Sequence, residues 1–93
     1  MPVVARHLVI HGRVQGVWYR AWTVETARDL GLAGWVRNRM DGSVDALVQG
    51  EEAAVDRFIA RAYEGPPAAQ VSRIDATETP LEPLGVFEKR PTV

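Results

Sequence analysis

A chain of 93 residues has room for one core and little else, so residues 1–93 are expected to form a single domain with one site. A net charge of −1, with eleven Lys and Arg spread from Arg6 to Arg90 and no basic block, argues against a general polyanion binder, and no nucleic-acid partner is expected. The lack of cysteine removes disulfides, thiolate catalysis and Cys-based metal centres, and with no apolar run of ~18 residues and no basic-then-apolar leader, a soluble cytoplasmic protein without a membrane partner is expected.

Val3 to His11 alternates, with Leu8 and Ile10 on one side and His7, Val9 and His11 on the other, which predicts a strand with one buried face. Gly12 to Tyr19 has two glycines and no regular period, so it reads as a loop. From Arg20 to Leu30, the residues Thr23, Val24, Ala27 and Leu30 follow helical spacing, and Gly31 supplies a stop. Leu32 to Asn38 and Ser43 to Gly50 read as strands joined by a turn at Asp41-Gly42, with Val44, Ala46 and Val48 alternating against Asp45, Leu47 and Gln49. Glu51 to Glu64 is a second amphipathic helix burying Ala54, Val55, Phe58, Ile59 and Ala62, and Gly65-Pro66-Pro67 ends it. Gln70 to Glu78 forms a fourth strand, where the opposite parity of Val71 and Ile74 predicts a bulge, and Val86 to Lys89 adds a short fifth.

The order βαββαβ plus a terminal strand predicts an α+β, ferredoxin-like sandwich: an antiparallel sheet with two helices on one face and a short extra C-terminal strand. A right-handed crossover makes strands 1 and 2 parallel with strand 3 between them. Their C-terminal ends then lie on one edge about two strand spacings, or ~9.6 Å, apart, which brings the 12–20 loop towards Asn38.

Glycines at 12 and 16 allow positive φ and let backbone N–H groups converge on an anion. From Gly12 through Tyr19 no Ser, Thr, Asp or Asn is available to cap the following helix, so a bound anion is one way to satisfy its first N–H groups and a water-capped tight turn is the other. Arg20 adds a planar fork suited to two phosphoryl oxygens. Neither GxxxxGK[ST] nor GxGxxG occurs, which argues against nucleotide binding.

GRVQGVWYR at 12–20, GLAGWVRN at 31–38 and DGSV at 41–44 resemble the acylphosphatase family, and the likeness spans nearly the whole chain. The resemblance implies a hydrolase that cleaves the carboxyl–phosphate bond of acyl phosphates to a carboxylate and inorganic phosphate, without metal or cofactor. It implies that the backbone of Gln15, Gly16, Val17, Trp18 and Tyr19 and the side chain of Arg20 bind the phosphoryl group, and that Asn38 orients the attacking water. Tyr19 stands where phenylalanine is more usual, and Pro91-Thr92-Val93 extends past the end of many members. A small-molecule substrate and a monomer are expected. The rivals are a noncatalytic phosphate- or small-ligand-binding regulatory module of the same fold and an accessory domain of a larger carbamoyl-transfer enzyme.

Two side chains suffice for this chemistry. The leaving carboxylate has a conjugate acid of pKa about 4 and needs no proton donor, while phosphoryl transfer asks for positioning and charge stabilisation.

The remaining polar residues have simpler readings. His7 and His11, four apart on a strand, are separated by ~13 Å and cannot share a metal, so they are expected on the sheet face. Trp18, Trp22 and Trp35 are expected to pack in the core or rim, since the third strand, VDALVQG, has no aromatic for base stacking; Trp18 also stands where it would border an acyl group. Asp41 and Asp45 are assigned to turn formation and solvation, and Arg37 and Arg39 to surface charge. Ser43, Ser72 and the threonines have no histidine with an orienting partner in any recognisable motif.

Overall fold

The computed structural model describes residues 2–93. The elements follow in the expected order: β1 (Val3–Arg13), α1 (Tyr19–Asp29), β2 (Ala33–Asn38), β3 (Val44–Glu51), α2 (Glu52–Ala62), β4 (Gln70–Thr79) and β5 (Glu88–Lys89). They form one five-stranded sheet in the order β4-β1-β3-β2-β5. The β1–β3, β1–β4 and β2–β3 pairs are antiparallel. Hence β1 and β2 run parallel on either side of β3, as a right-handed crossover through α1 requires, and their C-terminal ends share an edge.

The fifth strand departs from an all-antiparallel sheet. It pairs parallel to β2, with Trp35 opposite Glu88 and Val36 opposite Lys89, so the sheet is mixed. Val86, expected within the strand, makes only an isolated bridge to Ala33. Tertiary contacts hold this short edge. Arg28 on α1 donates from Nε and Nη2 to the Phe87 carbonyl at 3.1 and 2.9 Å, and the Phe87 side chain is fully buried. Beyond β5, Arg90 N–H donates to Val36 O at 2.8 Å and Val93 N–H to Asn38 O at 3.1 Å, so Pro91-Thr92-Val93 runs on beside β2 to its end.

The bulge suggested by Val71 and Ile74 is present. Pairing passes from His11–Arg73 to Gly12–Val71, leaving Ser72 as the extra residue on β4. A Cβ at Gly12 would run into the Gln70 carbonyl oxygen, so this crossing of strands needs glycine.

The core lies between the sheet and the helices. Leu8, Ile10, Val36, Val44 and Val48 from the sheet meet Ala27 of α1 and Val55, Phe58 and Ala62 of α2. Tyr19, at the first position of α1, is buried and donates its hydroxyl to Ala62 O at 2.6 Å. The hydroxyl that distinguishes it from phenylalanine thus ties the start of α1 to the end of α2, and burial pushes the phenol well above its ordinary pKa.

The opposite sheet face corrects one expectation. Asp41 does shape its turn, accepting from Ser43 N–H at 2.9 Å, but Asp45 is only 2% exposed and serves neither turn nor solvation. It lies on central strand β3 directly opposite Arg37, which grips it from Nε at 2.9 Å and Nη2 at 3.2 Å, while His7 Nε2 lies 3.0 Å from Oδ2. The Arg37 guanidinium sits 4.4 Å and that of Arg90 5.3 Å from the Trp35 ring centroid. Arg37 is therefore a built part of the face and not a loose surface charge.

Burial alone would raise the Asp45 pKa, but hydrogen bonds from Arg37 and His7 and the Arg37 charge outweigh it and hold the carboxyl below its ordinary 3.8. A depressed folded-state pKa contributes stability that is present above the unfolded value and lost as pH falls through the folded one. Asp45→Ala is expected to destabilise the fold by about 2 kcal/mol at neutral pH. That is below the usual cost of breaking a buried pair, because Arg37 and His7 stay partly solvated. In urea titrations the gap between wild type and variant should narrow as pH drops below 3.8; a gap independent of pH would assign the loss to packing alone.

Candidate active site

At the shared edge, β1 hands over to a bend at Gln15–Trp18 that feeds α1. Gly16 has φ 74° and open space where a Cβ would stand, so its requirement is conformational and not steric. Trp18, the residue preceding α1, has φ 68° and ψ 19°, a left-handed conformation that a bulky residue adopts only under constraint. No side chain caps the helix. Its first backbone bond is Trp22 N–H to Trp18 O at 3.0 Å, so the amides of Tyr19, Arg20 and Ala21 have no acceptor among the described residues. They carry the positive end of the helix dipole towards the sheet edge.

Arg20 stands in this first turn, where a cation opposes the dipole, and the turn holds no acidic residue. Among the described residues its guanidinium is in no salt bridge. An anion is the evident complement to both features.

Asn38 ends β2. Its backbone is paired with Val44 of β3 and accepts from Val93 on the other side, so the residue is held from both flanks. Two positions after inward-facing Val36, it projects to the helix side of the sheet. Its side-chain Oδ1 is buried without a hydrogen-bond partner among the described residues, a costly state unless a ligand or solvent molecule completes it.

These groups meet in one cavity of about 290 Å³, lined by Gly16, Trp18, Tyr19, Arg20, Asn38 and Lys89, with Val14 and Ala21 completing the wall. At ~30 Å³ per water, that is the volume of about ten waters, room for a phosphoryl group and a small acyl group. Five of the seven site residues expected from sequence are thus brought together. Trp18 is 82% exposed at the rim.

Gln15 and Val17 do not line the cavity. Val17 is buried in the core. The Gln15 side chain crosses to the β2–β3 hairpin, donating from Nε2 to Arg39 O at 2.7 Å and Ser43 O at 2.8 Å. It fixes the loop against the turn that follows Asn38, a role with no local sequence signal because both acceptors are backbone carbonyls 24 and 28 residues away. Lys89, a charged member of the lining that the sequence reading does not name, comes from the short parallel strand.

A glycine-bent loop, an uncapped helix start and an arginine in no salt bridge among the described residues stand together at one edge of the βαββαβ sheet of a small ferredoxin-like domain. The acylphosphatase family model matches residues 6–88. An acylphosphatase of Rhizorhabdus wittichii is 51% identical over 90 residues, covering 97% of this chain and 91% of the relative. The structure of an acylphosphatase from Coxiella burnetii superposes with TM-score 0.92 at 33% identity, covering 95% of this chain and 93% of that one. Full-length HypF in a phosphate- and nucleotide-bound form contains a similar unit, with TM-score 0.90 and 29% identity over 98% of this chain but only 12% of that protein. The chain belongs to the acylphosphatase family. It is an enzyme that hydrolyses acyl phosphates, a small-molecule substrate class, and relatives of its own length favour this over a noncatalytic module. No helix among the described residues is long and apolar enough to cross a membrane.

Proposed function

We propose that the loop amides from Gln15 to Tyr19 and the Arg20 fork bind the transferred phosphoryl group, and that Asn38 orients the water that attacks it. The observation that carries this reading is the convergence of Arg20, Asn38 and the uncapped start of α1 on one cavity. Arg20 and the amides spread their positive potential over the equatorial oxygens, where charge resides in the transition state. Asn38 Oδ1 accepts a hydrogen bond from the water and aims its oxygen at phosphorus. As that oxygen bonds, the phosphorus–acyl oxygen bond breaks and the electron pair leaves with the carboxylate. The water's proton passes to phosphate or solvent.

On this reading residues 1–93 act as one monomeric, cytoplasmic domain without cofactor, and the carboxylate departs without help from a general acid or a Lewis acid. Purified chain is expected to hydrolyse benzoyl phosphate at a rate that varies little around neutrality, since the reading assigns no general acid or base to the step. The rate should be unchanged after dialysis against EDTA. Chelator-sensitive turnover restored by a divalent ion would overturn the proposed division of labour, and phosphate binding without turnover would overturn the assignment of Arg20 and Asn38 as catalytic residues.

A further inference from the structure

Lys89 has no part in the reaction as set out above, yet it lines the same cavity as Arg20 and Asn38. Its register explains how. Glu88 lies opposite Trp35 and Lys89 opposite Val36, and paired residues share a face of the sheet. Val36 is fully buried on the helix side, so Lys89 is directed to that side as well. The parallel run of β5 carries the chain from Arg28, late in α1, towards the α1 start where Arg20 stands. The Arg28 grip on Phe87 O before it and the Arg90–Val36 bond after it fix the backbone. This lysine is mounted on a held strand, not on a loose tail.

The charge pattern is one-sided. The cavity lining contains two cations, Arg20 and Lys89, and no carboxylate. Among the described residues neither cation is in a salt bridge, and the neighbouring Glu88 pairs with Arg90. The Arg20 fork and the helix start already supply the complement of one phosphoryl group. A second cation entering from β5, the strand beyond β2, adds positive potential outside that cradle, where the rest of the substrate must lie.

Building on the proposed site, we infer that Lys89 is a specificity-determining residue that reads the acyl half of the substrate, favouring acyl phosphates whose acyl group itself carries negative charge over those with a neutral one. Lysine suits this task because its mobile ammonium is a point charge that meets a carboxylate or a second phosphate without demanding one geometry. The plain competitor is an edge-strand lysine that only discourages pairing with another chain.

The test compares kcat/KM for succinyl phosphate and acetyl phosphate in wild type, Lys89→Met and Lys89→Arg. An exposed charge pair predicts that Lys89→Met lowers the succinyl-to-acetyl ratio by about 3- to 5-fold, that Lys89→Arg keeps it, and that added salt erodes it in wild type. A ratio unchanged by Lys89→Met overturns the inference, whether because both substrates lose equally, which places the ammonium on the phosphoryl group, or because neither loses, which leaves only the edge role. Arg20→Ala run alongside should slow both substrates together; if it slows neither, the underlying site assignment fails, a result distinguishable from failure at Lys89.

Discussion

Arg20→Ala is expected to lower kcat by on the order of 10²-fold or more, the scale seen when a single oxyanion donor is lost, while leaving the fold as stable as before. The two halves of this expectation have separate causes. The kinetic loss follows from removing the one guanidinium among the described cavity residues, whose fork offers paired donors to the equatorial oxygens over which the transition state spreads its charge. The unchanged stability follows from what Arg20 lacks, a salt bridge among the described residues. A cation in the first turn of a helix works against the dipole by ~0.3–1 kcal/mol, so the alanine variant should melt at or slightly above the wild-type temperature. Arg20→Lys restores charge without the planar fork and should recover only part of the rate. Steady-state kinetics and thermal unfolding on the same samples check the pair. An alanine variant within a few-fold of wild type would remove Arg20 from the mechanism, and one that is slow because it is unfolded would make it structural.

How far such roles can be read in advance depends on whether the signal is local. The loop glycines and the uncapped start of α1 were legible from a few neighbouring residues, and Asn38 came to the same edge through topology alone, because a right-handed crossover leaves little choice for β1 and β2. Arg20 is legible as one part of an anion cradle, although a glycine loop before a helix is also consistent with a plain turn, and the role proposed for Asn38 rests on the family motif. Other features depend on residues distant in sequence. Asp45 looked like a solvated turn residue because its two partners lie on the flanking strands, and only their pairing shows that a buried carboxylate has Arg37 and His7 around it. The direction of β5 was likewise hidden: a two-residue strand has almost no periodicity, and its position is set by Arg28 and by the buried ring of Phe87. Lys89 inherits that obscurity and reaches the cavity because the register of β5 places it opposite Val36.

Asn38→Ala should separate turnover from binding. If the amide orients water and does not grip the phosphoryl group, kcat falls by on the order of 10²-fold, comparable to losing a positioned polar group at a reacting centre, while inhibition by inorganic phosphate stays close to wild type, because the amides of α1 and Arg20 remain. Stability supplies an independent check. The Asn38 Oδ1 is buried and unpartnered by protein, so truncating it removes an acceptor that costs about 1–3 kcal/mol when unsatisfied, and the variant should unfold no more readily than wild type. The backbone bonds to Val44 and Val93 are untouched by the change, which keeps the strand end in place. Asn38→Asp is the sharper variant, since a carboxylate at the same position would repel the phosphoryl oxygens and weaken phosphate inhibition as well as turnover. Loss of phosphate inhibition in Asn38→Ala itself would mean that the residue belongs to the anion cradle, and the water would then have to be held by another group facing the cavity.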